Sequence, residues 1–147
     1  PTQFSANCRL NFMTDKQLFE FELHSDVLIV TPNGPFSEFR DNDFRNAYNE
    51  AFRLLMEPGT RHLLVDFSNL DYFGSTFVSL LLRLSQKARS SKGEAALCHL
   101  SDNMRGMLKT LMLLENPKVD FSMSSHTNRD VALQYLADVT SRTIKTD

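Results

Sequence analysis

Two kinds of apolar pattern alternate along the chain, and the first is typical of strands. Short apolar runs at 18–23 and 27–30 flank the polar turn 24–26, which predicts a β-hairpin. The second run ends at 31–35, where two prolines remove backbone donors and an Asn-Gly step favours a turn. The fold is therefore predicted to begin with two antiparallel strands.

Helical and strand-like patterns then follow one another. Apolar residues recur at helical spacing over 44–55, 75–89 and 104–112, and Ser101 or Asp102 is placed to cap the third of these helices. Continuous apolar runs typical of buried strands separate them, at His62 to Phe67 and at Glu94 to Leu100. The alternation predicts an α/β fold: a mixed sheet of four to five strands that starts with the antiparallel hairpin and is packed by about four helices.

The two ends of the chain have weaker patterns. Residues 119–123 predict a short edge strand, and a last helix is expected to open near Thr127 or Asn128 and to run to Val139. Residues 140–147 are interpreted as a C-terminal tail. Residues 1–17 are interpreted as an N-terminal extension, either with an added edge strand through Cys8 to Phe12 or without one. The domain proper is thus predicted to span residues 18–139.

Composition narrows the class of partner. The chain has 147 residues, of which 41% are hydrophobic and 23% charged, which fits one compact domain. A formal net charge of −2 provides no basic face for a phosphate backbone, so nucleic acid is not an expected partner. The apolar runs fall far short of the roughly 20 residues that cross a bilayer, so no membrane span is expected. Residues 1–7 lack a signal-peptide pattern and the two cysteines have no CxxC neighbour. Both observations favour a location of the protein in the reducing cytoplasm.

No motif indicates catalysis, a cofactor or a metal. The four histidines are dispersed and none belongs to an HExxH spacing. No GxSxG elbow and no phosphate-binding GxxxxGK[ST] loop occurs. We therefore expect a non-enzymatic protein without a cofactor or metal site.

The segment Leu63 to Phe77 carries the functional signal. A buried strand ending in Asp66 leads through a short loop to Ser75 and Thr76 at the start of a helix. Loops beyond the carboxyl ends of strands in α/β sheets are the usual functional sites, because a rigid sheet positions groups that solvent still reaches. Ser75 is accordingly the first candidate site residue, although a serine at a helix start is also an ordinary N-cap.

This segment resembles the signature of the STAS domain, the anti-sigma factor antagonist family, in which an apolar strand ending in Asp precedes Asp-Ser-Ser-Gly at a helix start. Gly74 stands at the position of the family's Asp, Ser75 at its phosphorylated Ser, Thr76 at its second Ser and Phe77 at its Gly. The order of elements from Leu18 to Val139 also matches. The resemblance implies a bacterial regulator that binds an anti-sigma factor, itself a serine kinase, and releases it on phosphorylation, with a phosphatase as a further partner.

The resemblance also implies a binding surface. Ser75 is the implied phosphoacceptor and Thr76 the alternative. The helix after Ser101 is expected beside them, so the implied partner-binding residues are Gly74, Ser75, Thr76, Phe77, Met104 and Met107. Methionines at helical spacing are equally typical of core filling, and this alternative stays open.

Two other functions are compatible with the pattern. Asp66 at a strand end is the position expected of an aspartyl-phosphate receiver domain, although no adjacent acidic pair follows the first strand. A purely structural module of a larger stress-signalling assembly would need neither residue. The oligomeric state does not follow from the sequence.

Overall fold

A computed structural model describes residues 8–10, 18–70, 72–116 and 123–146. The strands are β1 (Cys8–Leu10), β2 (Phe19–His24), β3 (Val27–Pro32), β4 (His62–Asp66), β5 (Ala95–Cys98) and β6 (Ser124–His126). The helices are α1 (Asp41–Leu55), α2 (Ser75–Ser90), α3 (Asp102–Thr110) and α4 (Arg129–Thr146), with a 3-10 turn at Phe36–Glu38.

All six strands form one mixed sheet in the order β1-β2-β3-β4-β5-β6. β1, β2 and β3 pair antiparallel, and β3 through β6 pair parallel. The predicted α/β class, the initial hairpin and the four helices are thus confirmed. β1 lies within the range 8–12 for which an added edge strand was one alternative.

The two faces of the sheet bury different amounts of apolar surface. One face packs against α1, α2 and α3 in a large core that includes Leu28, Leu63 and Leu97. The other face packs against α4 in a small core that comprises Val27, Ile29, Leu64, Ala96, Cys98, Ala132 and Leu136. Successive strand residues point to opposite faces, which is why continuous apolar runs mark strands covered on both sides.

Side-chain hydrogen bonds cap the starts of α3 and α4. At α3 the Ser101 hydroxyl accepts a hydrogen bond from the Met104 N–H at 3.2 Å, and at α4 the Asn128 side chain accepts one from Val131 N–H at 2.9 Å. Both are N-cap interactions of the kind expected from the sequence.

One boundary prediction is wrong. α4 continues to Thr146, so residues 140–146 are helical rather than a tail. Their polar composition concealed this, since the segment lacks an apolar stripe. The last strand within the described residues is Ser124–His126. Of the strand predicted at 119–123 only Met123, which bridges to Leu114, is described; 119–122 lie outside the described residues.

Within the described part of the chain, every helix is too short or too polar to cross a bilayer.

Candidate functional site

The candidate site lies at the carboxyl edge of the parallel strands. The loops that follow β3, β4 and β5 meet there and form an open groove of about 510 Å³, and α2 starts from the second of these loops. The backbone N–H of Gly34 donates to the Asn69 carbonyl at 2.9 Å, and the Asn69 side chain donates to that of Asn33 at 2.8 Å. These bonds join the loop after β3 to the loop that leads to Ser75.

Ser75 is the first residue of α2, and Gly74 is its N-cap. Ser75 and Thr76 are both exposed. The N-cap position has no side-chain hydrogen bond. The interpretation of Ser75 as an N-cap is therefore wrong, because its hydroxyl lies one position inside the helix.

The first turn of α2 differs from those of the other three helices. α1 carries Asp41 and Asp43 in its first turn, α3 carries Asp102 and α4 carries Asp130, whereas α2 has no acidic residue there. Acidic groups at these positions offset the partial positive charge of the helix start. The α2 start is thus the one among these four that lacks a negative group.

An aromatic pair lies beside Gly74. A Cβ atom at Gly74 would approach Cζ of Phe36 to 3.2 Å, which is closer than side-chain carbons usually pack. The Phe36 ring meets the ring of Tyr72 edge-on with centroids 5.5 Å apart, and Tyr72 is 59% exposed. Phe36 thus occupies space that a side chain at position 74 would need.

Two residues expected at the partner surface are buried instead. Phe77 is 0% exposed and its ring packs against those of Phe44 and Phe73, while Met104 is 1% exposed. Neither is available for direct contact with a partner, and their helical spacing reflects core packing. Met107 is half-buried against the same core.

Asp66 is buried and both oxygens of its carboxylate accept hydrogen bonds. One oxygen accepts from the Ser68 N–H at 3.0 Å, and the other accepts two bonds from the Arg129 guanidinium at 2.9 and 3.1 Å. Burial raises the pKa of Asp66, but these hydrogen bonds outweigh it and leave the pKa below its usual value. The arrangement is that of a structural ion pair, so the geometry does not favour the receiver-like alternative.

Arg129 also binds two other strands, and no pattern in the sequence predicts these contacts. It donates to Glu22 at 3.0 Å and to the Thr31 hydroxyl at 3.2 Å. Its carboxylate partners lie 63 and 107 residues away in the chain, so no local motif marks the cluster. We call Glu22, Thr31, Asp66 and Arg129 the Arg129 cluster; it fixes the start of α4 to the sheet.

A second polar cluster fixes α4 further along its length. His62 is fully buried; its Nδ1 accepts from the Glu94 N–H at 3.0 Å, so the ring proton is on Nε2, which lies 2.7 Å from the Thr140 hydroxyl. Thr140 in turn donates to Asp26 at 2.6 Å. Burial lowers the pKa of His62, and the nearby Asp26 carboxylate only partly opposes this effect. His62 is therefore held neutral.

Comparison with known proteins adds to this geometry. A sequence profile of the STAS domain matches residues 19–128. The chain belongs to the STAS domain family. No curated protein sequence matches it significantly.

Solved structures share the fold at low sequence identity. An anti-sigma-factor antagonist (STAS) domain protein from Planctomyces limnophilus is 20% identical with a TM-score of 0.64, covering 81% of this chain and 97% of its own. The Bacillus cell fate determinant SpoIIAA in its phosphorylated form is 15% identical with a TM-score of 0.60, covering 80% and 97%. The murine anion transporter Slc26a9 is 13% identical with a TM-score of 0.62, covering 93% of this chain but 23% of the transporter.

Proposed function

We propose that this STAS domain is a non-enzymatic cytoplasmic regulator of the anti-sigma factor antagonist type. It binds a protein partner, an anti-sigma factor with serine kinase activity, through the exposed surface around Ser75. Phosphorylation of Ser75 breaks the complex and a phosphatase restores it. Thr76 is the alternative acceptor.

The proposal is supported by the exposure and the position of Ser75 at the start of α2. Ser75 is exposed, lies at the first helical position and is not the cap, so its hydroxyl is free to be modified without loss of an N-cap bond. A phosphoserine adds a charge of about −1.5 to −2 near neutral pH, and a helix start accommodates an anion. The modified serine would supply the acidic group that the other three helices carry in their first turns.

Partner release follows from the same charge. A partner surface that is complementary to a neutral hydroxyl meets added bulk and must desolvate a dianion. A loss of 2.8 kcal/mol weakens binding about a hundredfold, because each 1.4 kcal/mol corresponds to a factor of ten. The surface we propose for the partner comprises Gly74, Ser75, Thr76, Tyr72 and the exposed side of Met107, since Phe77 and Met104 are buried.

The test uses the serine-kinase anti-sigma factors encoded in the same genome, purified and mixed singly with this chain and ATP. We expect one of them to transfer one phosphate to Ser75, located by peptide mass spectrometry. Ser75→Ala should abolish the transfer and retain the complex, whereas Ser75→Asp should weaken the complex at least tenfold. Thr76→Ala is the matched control at the adjacent exposed hydroxyl and should still be phosphorylated.

Phosphate on Thr76 rather than Ser75 would move the acceptor by one residue. Equal partner affinities for the Ser75→Ala and Ser75→Asp variants would remove Ser75 from the mechanism.

A structural module is the second candidate. Slc26a9, in which the region similar to this chain makes up 23% of the protein, shows that the same fold also occurs as one part of a larger protein. A chain of this kind would bind its neighbour with the same affinity whether Ser75 is alanine or aspartate. The affinity comparison above therefore separates the two candidates.

A further inference from the structure

Three side chains that can bind a metal ion lie close together on the face of the sheet that α4 covers. Asp66 ends β4, Cys98 ends β5, and the parallel register places these two residues side by side. His99 follows directly and lines the groove at the carboxyl edge. One ligand atom from each of the three residues lies within 4.8 Å of the other two.

The three donors form a set with a definite chemical preference. A thiolate sulfur, an imidazole nitrogen and a carboxylate oxygen are the three protein ligands that Zn²⁺ takes, whereas Mg²⁺ and Ca²⁺ prefer oxygen alone. We propose that Asp66, Cys98 and His99 bind Zn²⁺, with the fourth coordination position open to the groove. Three protein ligands with an open position would be an exchangeable or ligand-binding zinc site rather than a closed structural one.

The charge around the cluster favours a cation that displaces a proton. Within the Arg129 cluster the two carboxylates of Glu22 and Asp66 face one guanidinium, which leaves one negative charge in excess in a buried region. When a Zn–S bond forms, the Cys98 S–H bond breaks and the proton leaves to solvent. The two positive charges of the metal then balance the new thiolate and the excess carboxylate.

Arg129 supports this geometry rather than blocking it. Its guanidinium binds one oxygen of Asp66, Oδ2, and the Ser68 N–H donates to the other, Oδ1. Carboxylate ligands of metals are commonly held by such second hydrogen bonds, which fix their orientation.

Only a small movement is needed to form the site. Zinc bonds of about 2.0 to 2.3 Å in a tetrahedron place ligand atoms about 3.3 to 3.8 Å apart. Atoms that now lie within 4.8 Å of one another would close by at most about 1 to 1.5 Å. Asp66 and Cys98 are buried and held by their surroundings, whereas His99 is exposed, so the imidazole is the group that moves.

The test is titration of the full chain with Co²⁺ as a spectroscopic substitute for Zn²⁺. A thiolate-to-cobalt charge-transfer absorption reports formation of a metal–thiolate bond. We expect this band to appear at one Co²⁺ per chain and to be lost when one equivalent of Zn²⁺ is added.

Three variants assign the ligands. Cys98→Ser should abolish the band, whereas Cys8→Ser, which removes the other thiol, should leave it unchanged. His99→Asn should weaken Co²⁺ binding at least tenfold. The variant should fold, because position 99 is exposed and asparagine tolerates the left-handed backbone conformation seen there (φ 60°).

The absence of a band, a band retained in Cys98→Ser, or unchanged affinity in His99→Asn would each overturn the proposal. None of these results depends on Ser75, so the zinc site and the phosphorylation switch are tested separately.

Discussion

Replacing Arg129 with Met tests what holds α4 to the sheet. The substitution keeps the length of the side chain but removes the guanidinium, and it leaves the buried Glu22 and Asp66 carboxylates without their cation. Removing one partner of a buried ion pair costs about 3 to 5 kcal/mol, because the remaining charge stays desolvated. Since 32% of the Arg129 side chain is exposed, we expect a lower loss of about 2 to 4 kcal/mol at pH 7.

The pH dependence of the free energy of unfolding is a second, independent readout of the Arg129 ion pairs. In the native protein the pKa of Asp66 is lowered, so its pairing contributes stability above the unfolded pKa of about 3.9, and this stability is lost as the pH falls through the folded value. Without Arg129, burial of the Asp66 carboxyl group is opposed only by its hydrogen bonds from Ser68, so Asp66 takes up a proton more readily. The destabilisation caused by Arg129→Met should therefore shrink as the pH falls from 7 to 4.

Urea unfolding followed by circular dichroism measures both quantities. A loss of 2 to 4 kcal/mol corresponds to a fall in Tm of roughly 4 to 16 °C for a chain of this size. Arg105→Met is the matched control, because Arg105 pairs at 3.4 Å with the fully exposed Asp102 and should cost under about 0.5 kcal/mol. Equal losses in the two variants, or a loss independent of pH, would refute the reasoning.

Three further predictions concern stability. Ser75→Ala should change the free energy of unfolding in urea by under about 0.5 kcal/mol, because Ser75 is not the N-cap of α2. Ser75→Asp should raise it by about 0.3 to 1 kcal/mol, because an acidic group stabilises a helix start. Native stability should fall as the pH drops below about 6.5, since the buried His62 binds its proton more weakly than it does in the unfolded chain; a His62→Gln variant should show a flatter profile in the same titration. Met104→Ala should cost about 2 to 5 kcal/mol and the exposed Met112→Ala almost nothing in thermal unfolding; equal costs would contradict the burial of Met104.

The regular elements were predictable because their signals are local. Apolar runs covered on both faces marked the central strands, and helical spacing with a capping residue such as Ser101 marked the helices. The sequence also located Ser75 and Thr76 at a helix start, since the strand before them and the apolar periodicity after them bracket the loop.

What the sequence missed depends on contacts between distant segments. Arg129 and Thr140 are polar residues of the last helix that no local motif marks, and their partners lie on β2, β3, β4 and the hairpin turn. Phe77 and Met104 were placed on the binding surface by their position in the motif and on a neighbouring helix. Which side of a helix faces the core decides their exposure, and both point inward.

The packing on the two faces of the sheet should respond differently to a change in pH. The face under α1, α2 and α3 is held by a large apolar core, and burial of apolar surface does not depend on the ionisation of side chains. The face under α4 has a small apolar core and relies on the Arg129 cluster near one end of the helix and on His62, Thr140 and Asp26 further along. Mild acid would accordingly weaken the packing of α4 on the sheet before that of the other three helices. α4 is therefore the helix whose attachment depends most on pH.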